Sequence, residues 1–149
     1  MAVNVIYSAQ ATTRGKREKS VQTVDGSLSV ALSTPREIGG DGEPGVNAEQ
    51  LFASGCAACF FRTMKYVATE HPHLAISDSA EVTATVGVGP HDSGGFGLQV
   101  DMHIQLPELD SDAANELVKR AYEICPFSNS VKSNVELNVF VEAGSQLSA

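Results

Sequence analysis

One long apolar segment constrains the fold of this chain more than any other feature. Asn47 can cap a helix, with Gln50 three residues later as its capping-box partner, and Ala, Leu, Phe, Met and Lys dominate the segment after this cap. Pro72 forces the residue before it out of helical geometry, so the pattern predicts a helix over Ala48–Glu70. Its broad apolar side comprises Leu51, Phe52, Gly55, Cys59, Phe60, Thr63, Val67 and Ala68. Such a helix is expected to be buried on most sides at the centre of the fold.

Segments of alternating apolar and polar residues on both sides of this helix predict strands. Three short segments come before it and two long ones after it. A second helix, capped by Asp110 or Ser111 and ended by Pro126 with Cys125 as its last residue, precedes a final strand. The predicted strands cover residues 3–7, 21–24, 28–32, 82–88, 96–106 and 135–141. The fold class is therefore α+β, in the order β-β-β-α-β-β-α-β, with the strands mostly paired antiparallel.

The composition limits the range of functions. At 149 residues the chain is long enough for one domain, residues 1–149, with its own core. A formal net charge of -8 argues against a nucleic-acid partner, because the one basic run, residues 14–19, is short. The sequence shows neither a charged leader with an apolar block nor a membrane-spanning run. A soluble cytoplasmic protein without a membrane partner is expected.

The three cysteines are too few for a disulfide scaffold, so the question is which thiol reacts. Cys59 lies about three turns inside the first predicted helix, where apolar neighbours raise a thiol pKa, and its reactivity would require a cation. Cys125, at a helix C-terminus, is a poor nucleophile, but the break at Pro126 lets the segment move, which suits a resolving thiol. A buried cysteine taken alone is more often plain packing, so the residues alone leave both interpretations open.

Four segments of the sequence resemble one protein family. They are NAEQLFASGCAACF at residues 47–60, ICPFSN at 124–129, STPREIGG at 33–40 and GFGL at 95–98. Together they are similar to the organic hydroperoxide resistance (Ohr) proteins of the OsmC-like superfamily, over roughly residues 14–141. The two cysteine motifs occur in the family's order, and the form of the second resembles the Ohr branch rather than its OsmC neighbours.

The resemblance implies a thiol peroxidase. It implies that Cys59 attacks an organic hydroperoxide, leaving an alcohol and a sulfenic acid, and that Cys125 condenses with that acid to a disulfide. It also implies that an external dithiol, the dihydrolipoamide of a lipoylated protein, reopens the disulfide, without a metal, a flavin or any other bound cofactor. The fold implied is an OsmC/Ohr-like intertwined homodimer with active sites at the interface.

The family also uses a Glu and an Arg beside the reactive thiol. The Glu corresponds to Glu49, ten residues before Cys59, and the Arg to Arg17, with Arg14 as the alternative. A guanidinium there could stabilise the thiolate, donate to the peroxide oxygens and pair with Glu49. Ten residues of straight helix span about 15 Å, so either the helix bends at Gly55 or a partner chain supplies Glu49. The dimer favours the second option.

Apolar side chains could surround an organic tail, although each is more commonly plain core. The candidates for such a pocket are Ile38, Phe52, Phe60, Phe61 and Phe127. They would explain a preference for alkyl or lipid hydroperoxides over hydrogen peroxide. The four histidines lack metal-ligand spacing with the cysteines, so surface roles are expected for them and no metal site is predicted.

Two rival functions fit parts of the sequence. Cys56 and Cys59, three residues apart, could form the redox pair of a dithiol-disulfide oxidoreductase. Such pairs usually open a helix, whereas Cys56 is already past the second predicted turn. Cys56 also stands where the Ohr family usually has a Tyr, and its role is open. A small-molecule binding domain with structural thiols is the second rival, supported only by the apolar helix.

Overall fold

The computed structural model describes residues 2–15 and 20–144. The chain divides into two compact units, the first ending at Leu51 and the second beginning at Phe52. The first unit contains a three-stranded sheet and the second contains another three-stranded sheet with helices. This is the α+β class that the sequence predicts, and the two sheets and the helices occur in the predicted order.

The first sheet is an antiparallel meander of β1, Ala11–Arg14, β2, Ser20–Thr23, and β3, Ser29–Ala31. The prediction of a strand at residues 3–7 is wrong, because the first strand lies further along the chain. The reason is the length of β2, whose pairing runs from Ser20 opposite Arg14 to Thr23 opposite Ala11. The Val24 N–H still donates to the Gln10 carbonyl at 2.9 Å, but the chain then turns at Asp25 and Gly26. Residues 3–7 therefore have no antiparallel partner among the described strands.

A tight turn connects β2 to β3. One carboxylate oxygen of Asp25 accepts hydrogen bonds from the backbone N–H of Ser27 at 2.9 Å and from the hydroxyl of Thr23 at 2.8 Å. These donors, with the Ser27 backbone first among them, lower the pKa of Asp25 to about 2. Gly26 has a φ of 78°, a left-handed conformation that glycine adopts without strain.

The long helix α1, Ala48–Glu70, has the predicted bounds. Its capping box is formed, since the Gln50 backbone N–H donates to Asn47 Oδ1 at 2.8 Å and the Asn47 N–H donates to Gln50 Oε1 at 2.9 Å. The helix ends before Pro72 and is uninterrupted at Gly55. The inward side of α1 in the second unit comprises Cys56, Cys59, Phe60, Thr63, Met64 and Val67, whereas Arg62, Lys65 and Tyr66 are exposed.

The second sheet has the order β4-β5-β6, with β4 at Glu81–Pro90, β5 at Phe96–Leu106 and β6 at Glu136–Ala143. β4 and β5 pair antiparallel over their whole length, as the sequence predicts. β6 pairs parallel to β5, so among the strands that the structure describes three pairings are antiparallel and one is parallel, which agrees with the expectation of mostly antiparallel strands. The cause of the parallel pairing is the helix between β5 and β6, because a strand that returns through a helical crossover runs in the direction of the strand it left.

That crossover contains α2, Ser111–Ile124, and a short helix that the sequence analysis did not predict, α3, Pro126–Val131. Asp110 is the N-cap of α2, since its Oδ1 accepts from the Ala113 backbone N–H at 2.8 Å. The core of the second unit lies where α1, β5 and α2 pack together. Its members include Phe60, Met64, Val67, Val100, Met102, Ile104, Leu106, Ala114, Leu117 and Ala121.

Candidate active site

The structure brings two of the three cysteines into contact. The sulfur of Cys59 on α1 lies 3.6 Å from the sulfur of Cys125, at the junction of α2 and α3. Both are free thiols, with Cys59 only 4% exposed and Cys125 fully buried. A disulfide requires an S–S distance of about 2.05 Å, so the two sulfurs need to approach each other by about 1.5 Å to bond. The pair is therefore positioned for reversible thiol chemistry.

Cys125 lies at the ends of two helices, whereas the sequence predicts only the first of them. It follows the last residue of α2 and is at the same time the N-cap of α3, so amide N–H groups face it as well as carbonyl groups. Burial would raise the pKa of Cys125, but the backbone N–H and the hydroxyl of Ser128, with further contributions from Cys59 and Thr63, lower it below the ordinary thiol value. These hydrogen-bond donors outweigh the burial of Cys125, so its thiolate is more favoured than its place at the C-terminus of α2 alone predicts.

At Cys59 the influences that raise the pKa outweigh those that lower it. Burial raises its pKa, and the neighbouring Cys125 thiol adds to the rise, while the backbone N–H of Phe127 and the charge of Arg62 act against it. Because the two sulfurs are in hydrogen-bond contact, the two thiols titrate as a pair, and the donors around Cys125 favour the first anion there.

Arg62 is a neighbour of the thiol that the sequence analysis missed. Its Nη2 atom lies 3.6 Å from the Cys59 sulfur. The signal was present, because residues three apart on a helix lie on the same face, and a cation was already required beside Cys59. The family pattern instead assigns that cation to Arg17, which precedes α1 in the sequence.

Cys56 lies one turn before Cys59 on α1 and is also buried. Burial raises its pKa, and the nearby Cys125 and Cys59 raise it further. Cys56 therefore remains a protonated thiol at neutral pH.

Phe127 covers the thiol pair from the start of α3. Its backbone N–H donates to Cys59, and its ring, 41% exposed, lies against Gly55 of α1. Of the other predicted pocket residues in this unit, Phe60 is fully buried in the core, while Phe52 and Phe61 are half-buried against it. Phe127 is the candidate placed beside the sulfurs, whereas the position of Phe60 is that of a core residue.

The remaining predicted site residues belong to the first unit. Glu49 is half-buried in the first turn of α1, Ile38 is 36% exposed in a short 3-10 helix, and Arg14 is exposed at the end of β1. Arg17 lies outside the described residues. The choice between Arg17 and Arg14 and the pairing of either with Glu49 therefore stay predictions.

Within residues 2–15 and 20–144, no group of three or more histidine, cysteine or acidic side chains could hold a metal ion. The histidines have other partners: His73 pairs with Glu116 at 3.0 Å, His91 contacts Ser93, and His103 stacks on Phe140. In the same part of the chain, no helix is long and apolar enough to cross a membrane.

Comparison with known proteins gives the family. The OsmC-like protein family matches residues 39–140 of this chain. The organic hydroperoxide resistance protein of Xanthomonas axonopodis pv. citri is 41% identical over 135 residues, covering 91% of this chain and 94% of that protein.

Solved structures agree. A crystal structure of an organic hydroperoxide resistance protein from Legionella pneumophila has a TM-score of 0.84 and 35% identity, covering 93% of this chain and 99% of that one. The structure of OhrB from Bacillus subtilis has a TM-score of 0.79 and 33% identity, covering 93% and 100%. The chain belongs to the OsmC-like family, and within that family to the organic hydroperoxide resistance proteins. The family and fold that the sequence predicts are thus confirmed.

Proposed function

We propose that this chain is a cysteine-based peroxidase that reduces organic hydroperoxides to alcohols, with Cys59 as the attacking thiolate and Cys125 as the resolving thiol. The observation that carries the proposal is the 3.6 Å contact between the two sulfurs. The names of its relatives, which refer to organic hydroperoxide resistance, give the class of substrate.

The reaction proceeds in two steps at the thiol pair. The Cys59 thiolate attacks the terminal peroxide oxygen, an S–O bond forms as the O–O bond breaks, and the departing alkoxide takes a proton to become the alcohol. The Cys125 thiolate then attacks the sulfur of the Cys59 sulfenic acid, the S–S bond forms as the S–O bond breaks, and the departing hydroxide takes a proton from solvent to become water. The lowered pKa of Cys125 supports the second step, since a larger fraction of this thiol is ionised at neutral pH.

A dithiol donor is needed to close the cycle. We propose the dihydrolipoamide of a lipoylated protein in the cytoplasm, which transfers two electrons to the Cys59–Cys125 disulfide and becomes a cyclic disulfide itself. This donor follows from the family resemblance, as do the roles of Arg17 and Glu49. The exposed ring edge of Phe127 beside the sulfurs supports an organic rather than an inorganic peroxide as substrate.

We also propose a homodimer in which the partner chain supplies Glu49. The uninterrupted course of α1 through Gly55 supports this over a bent helix, because ten residues of straight helix span about 15 Å. Light scattering coupled to size-exclusion chromatography measures the mass, and a monomeric protein that is fully active contradicts the proposal.

A peroxidase assay tests the function directly. Cumene hydroperoxide should be reduced faster than hydrogen peroxide, and dihydrolipoamide should sustain turnover better than thioredoxin. Cys59→Ser should abolish turnover and keep the fold, because serine is nearly isosteric but lacks a usable nucleophile at neutral pH. Retained activity in that variant contradicts the mechanism, and a wild-type protein inactive on every organic hydroperoxide contradicts the function.

A mechanism in which Cys125 attacks the peroxide and Cys59 resolves has one observation in its favour, the lowered pKa of Cys125. The same variants decide it. If Cys59→Ser still consumes one equivalent of hydroperoxide and its Cys125 becomes oxidised, then Cys125 is the attacking thiol.

A further inference from the structure

The guanidinium of Arg62 contacts the sulfur that reacts first in the proposed function. Arg62 and Cys59 lie three residues apart on α1, so their side chains share one face of the helix, and Nη2 lies 3.6 Å from Sγ. An opposite charge at this distance favours the ionised form of a thiol. The contact lies within one regular helix and does not depend on the position of any loop.

The charge of Arg62 is not shared with an acid in the described part of the chain. The ion pairs found there link Glu116 to Arg120 and to His73, and neither involves Arg62. The Arg62 side chain is exposed, although the sulfur it contacts is buried. It therefore connects the solvent side of α1 to the thiol.

We propose that Arg62 is a catalytic residue of this peroxidase, which stabilises the Cys59 thiolate when it forms and the negative charge that develops on the departing alkoxide oxygen. This inference rests on the proposed function. A guanidinium has five N–H donors in a planar fork, so it can keep one on the sulfur while others face an oxygen of the bound peroxide.

The attack of Cys59 on the peroxide forms one bond and breaks one. The electron pair of the Cys59 sulfur forms the S–O bond, and the electrons of the O–O bond leave with the alkoxide. Arg62 keeps its proton, because a guanidinium does not deprotonate in proteins, so the alkoxide takes its proton from water. Arg62 thus lowers the energy of the anion without acting as an acid.

The burial of Cys59 opposes the ionisation of its thiol, so a stabilising contact with the thiolate is needed. Desolvation is the largest influence on Cys59 and raises its pKa, and Arg62 is one of only two groups in the described part of the chain found to act against it. The other, the Phe127 amide, carries no net charge. Removing Arg62 therefore leaves the Phe127 amide, which has the larger effect of the two, but no positive charge found to act on Cys59 in the described part of the chain.

The test uses three variants of the full-length protein. Arg62→Gln removes the charge and keeps much of the side-chain length, and Arg62→Lys restores a point charge without the fork. Lys65→Gln is the matched control, because Lys65 is exposed on the same helix and its loss changes the net charge by the same amount. Circular dichroism and thermal melting confirm that all three fold.

Two rates are measured as functions of pH: alkylation of Cys59 by iodoacetamide, followed by site-resolved mass spectrometry, and kcat/KM for cumene hydroperoxide. Arg62→Gln should slow both severalfold at pH 7 and should move the alkylation profile to higher pH. Arg62→Lys should recover part of both losses. Lys65→Gln should match wild type.

The outcomes separate this inference from the proposed function. If wild type is active and Arg62→Gln matches it in alkylation and kcat/KM, the role of Arg62 is wrong and the peroxidase stands. If Lys65→Gln shows the same loss as Arg62→Gln, the effect is one of general charge and the role is equally wrong. If wild type reduces no organic hydroperoxide, the function fails, and the catalytic role of Arg62 fails with it.

Discussion

The ring of Phe127 lies so close to Gly55 that a β-carbon at position 55 would come within 2.9 Å of Cε2 of that ring. Phe127 follows Cys125 by two residues, and its amide donates to Cys59. The absence of a side chain on α1 at this point therefore allows α3 to reach the thiol pair.

Gly55→Ala should displace the Phe127 ring and weaken the contact between the two thiols. Alanine stabilises a helix by about 0.5–1 kcal/mol relative to glycine, so the melting temperature should change little or rise. Formation of the Cys59–Cys125 disulfide after a pulse of hydroperoxide should slow severalfold. Gly89→Ala is the control, because a β-carbon there meets open space. Equal rates in both variants would show that the position of the ring is unimportant.

Cys125→Ser should react once with hydroperoxide and then stop. Without the resolving thiol 3.6 Å away, the Cys59 sulfenic acid has no partner and is oxidised further to sulfinic acid. Mass spectrometry after an excess of cumene hydroperoxide should show a gain of two oxygen atoms on Cys59. Cys59→Ser serves as the control, and its remaining cysteines should gain no oxygen atoms. An unmodified Cys59 in the Cys125→Ser protein counts against the mechanism.

Ser128→Ala should raise the pKa of Cys125, because it removes the hydroxyl and leaves only the backbone N–H of the two Ser128 donors. At a fixed pH below that pKa, the thiolate fraction falls as the pKa rises, so disulfide formation should slow by about two- to fivefold at pH 7. The difference should vanish near pH 10, where either form of Cys125 is ionised. Stopped-flow measurements from pH 6 to 10 test this, with the exposed Ser133→Ala as control. A constant ratio across this range would contradict the proposed cause.

Cys56→Ser should keep near-normal turnover with a Cys59–Cys125 disulfide. Burial and the two neighbouring thiols keep Cys56 protonated, and helical neighbours have β-carbons about 5–6 Å apart, whereas a disulfide needs about 4 Å. Peptide mapping of the oxidised wild type identifies the bond. A dominant Cys56–Cys59 disulfide would favour the rival dithiol-disulfide oxidoreductase.

The sequence predicts the elements with strong local signals. The capping box at Asn47 and the proline at position 72 define both ends of α1, and unbroken alternation defines β5. The direction of β6 was not predictable from its own residues, because a parallel and an antiparallel strand show the same apolar alternation. The information lies in the connection, since a helix between two neighbouring strands favours parallel pairing.

In the candidate site, too, sequence motifs predict which residues take part, whereas tertiary packing determines how they contact one another. Both cysteines of the pair were identified from their motifs, but the contact between them depends on tertiary packing. The proline after Cys125 was interpreted as the end of one helix, although proline also suits the first position of the next, which is how α3 begins. Arg62 was missed because the family pattern places the cation elsewhere in the chain.

The parallel pairing of β5 with β6 also affects the order in which this protein folds. The two strands are joined only after α2 and α3 have been synthesised, so the sheet closes through contacts between distant parts of the sequence, which form slowly. Cys59 is made long before the segment that carries Cys125 and Ser128 can dock against it. A newly made chain therefore passes through a stage in which the Cys59 thiol has no resolving partner. An oxidant that reacts with Cys59 during synthesis can oxidise it beyond the sulfenic acid, whereas after folding Cys125 can trap that acid as a disulfide.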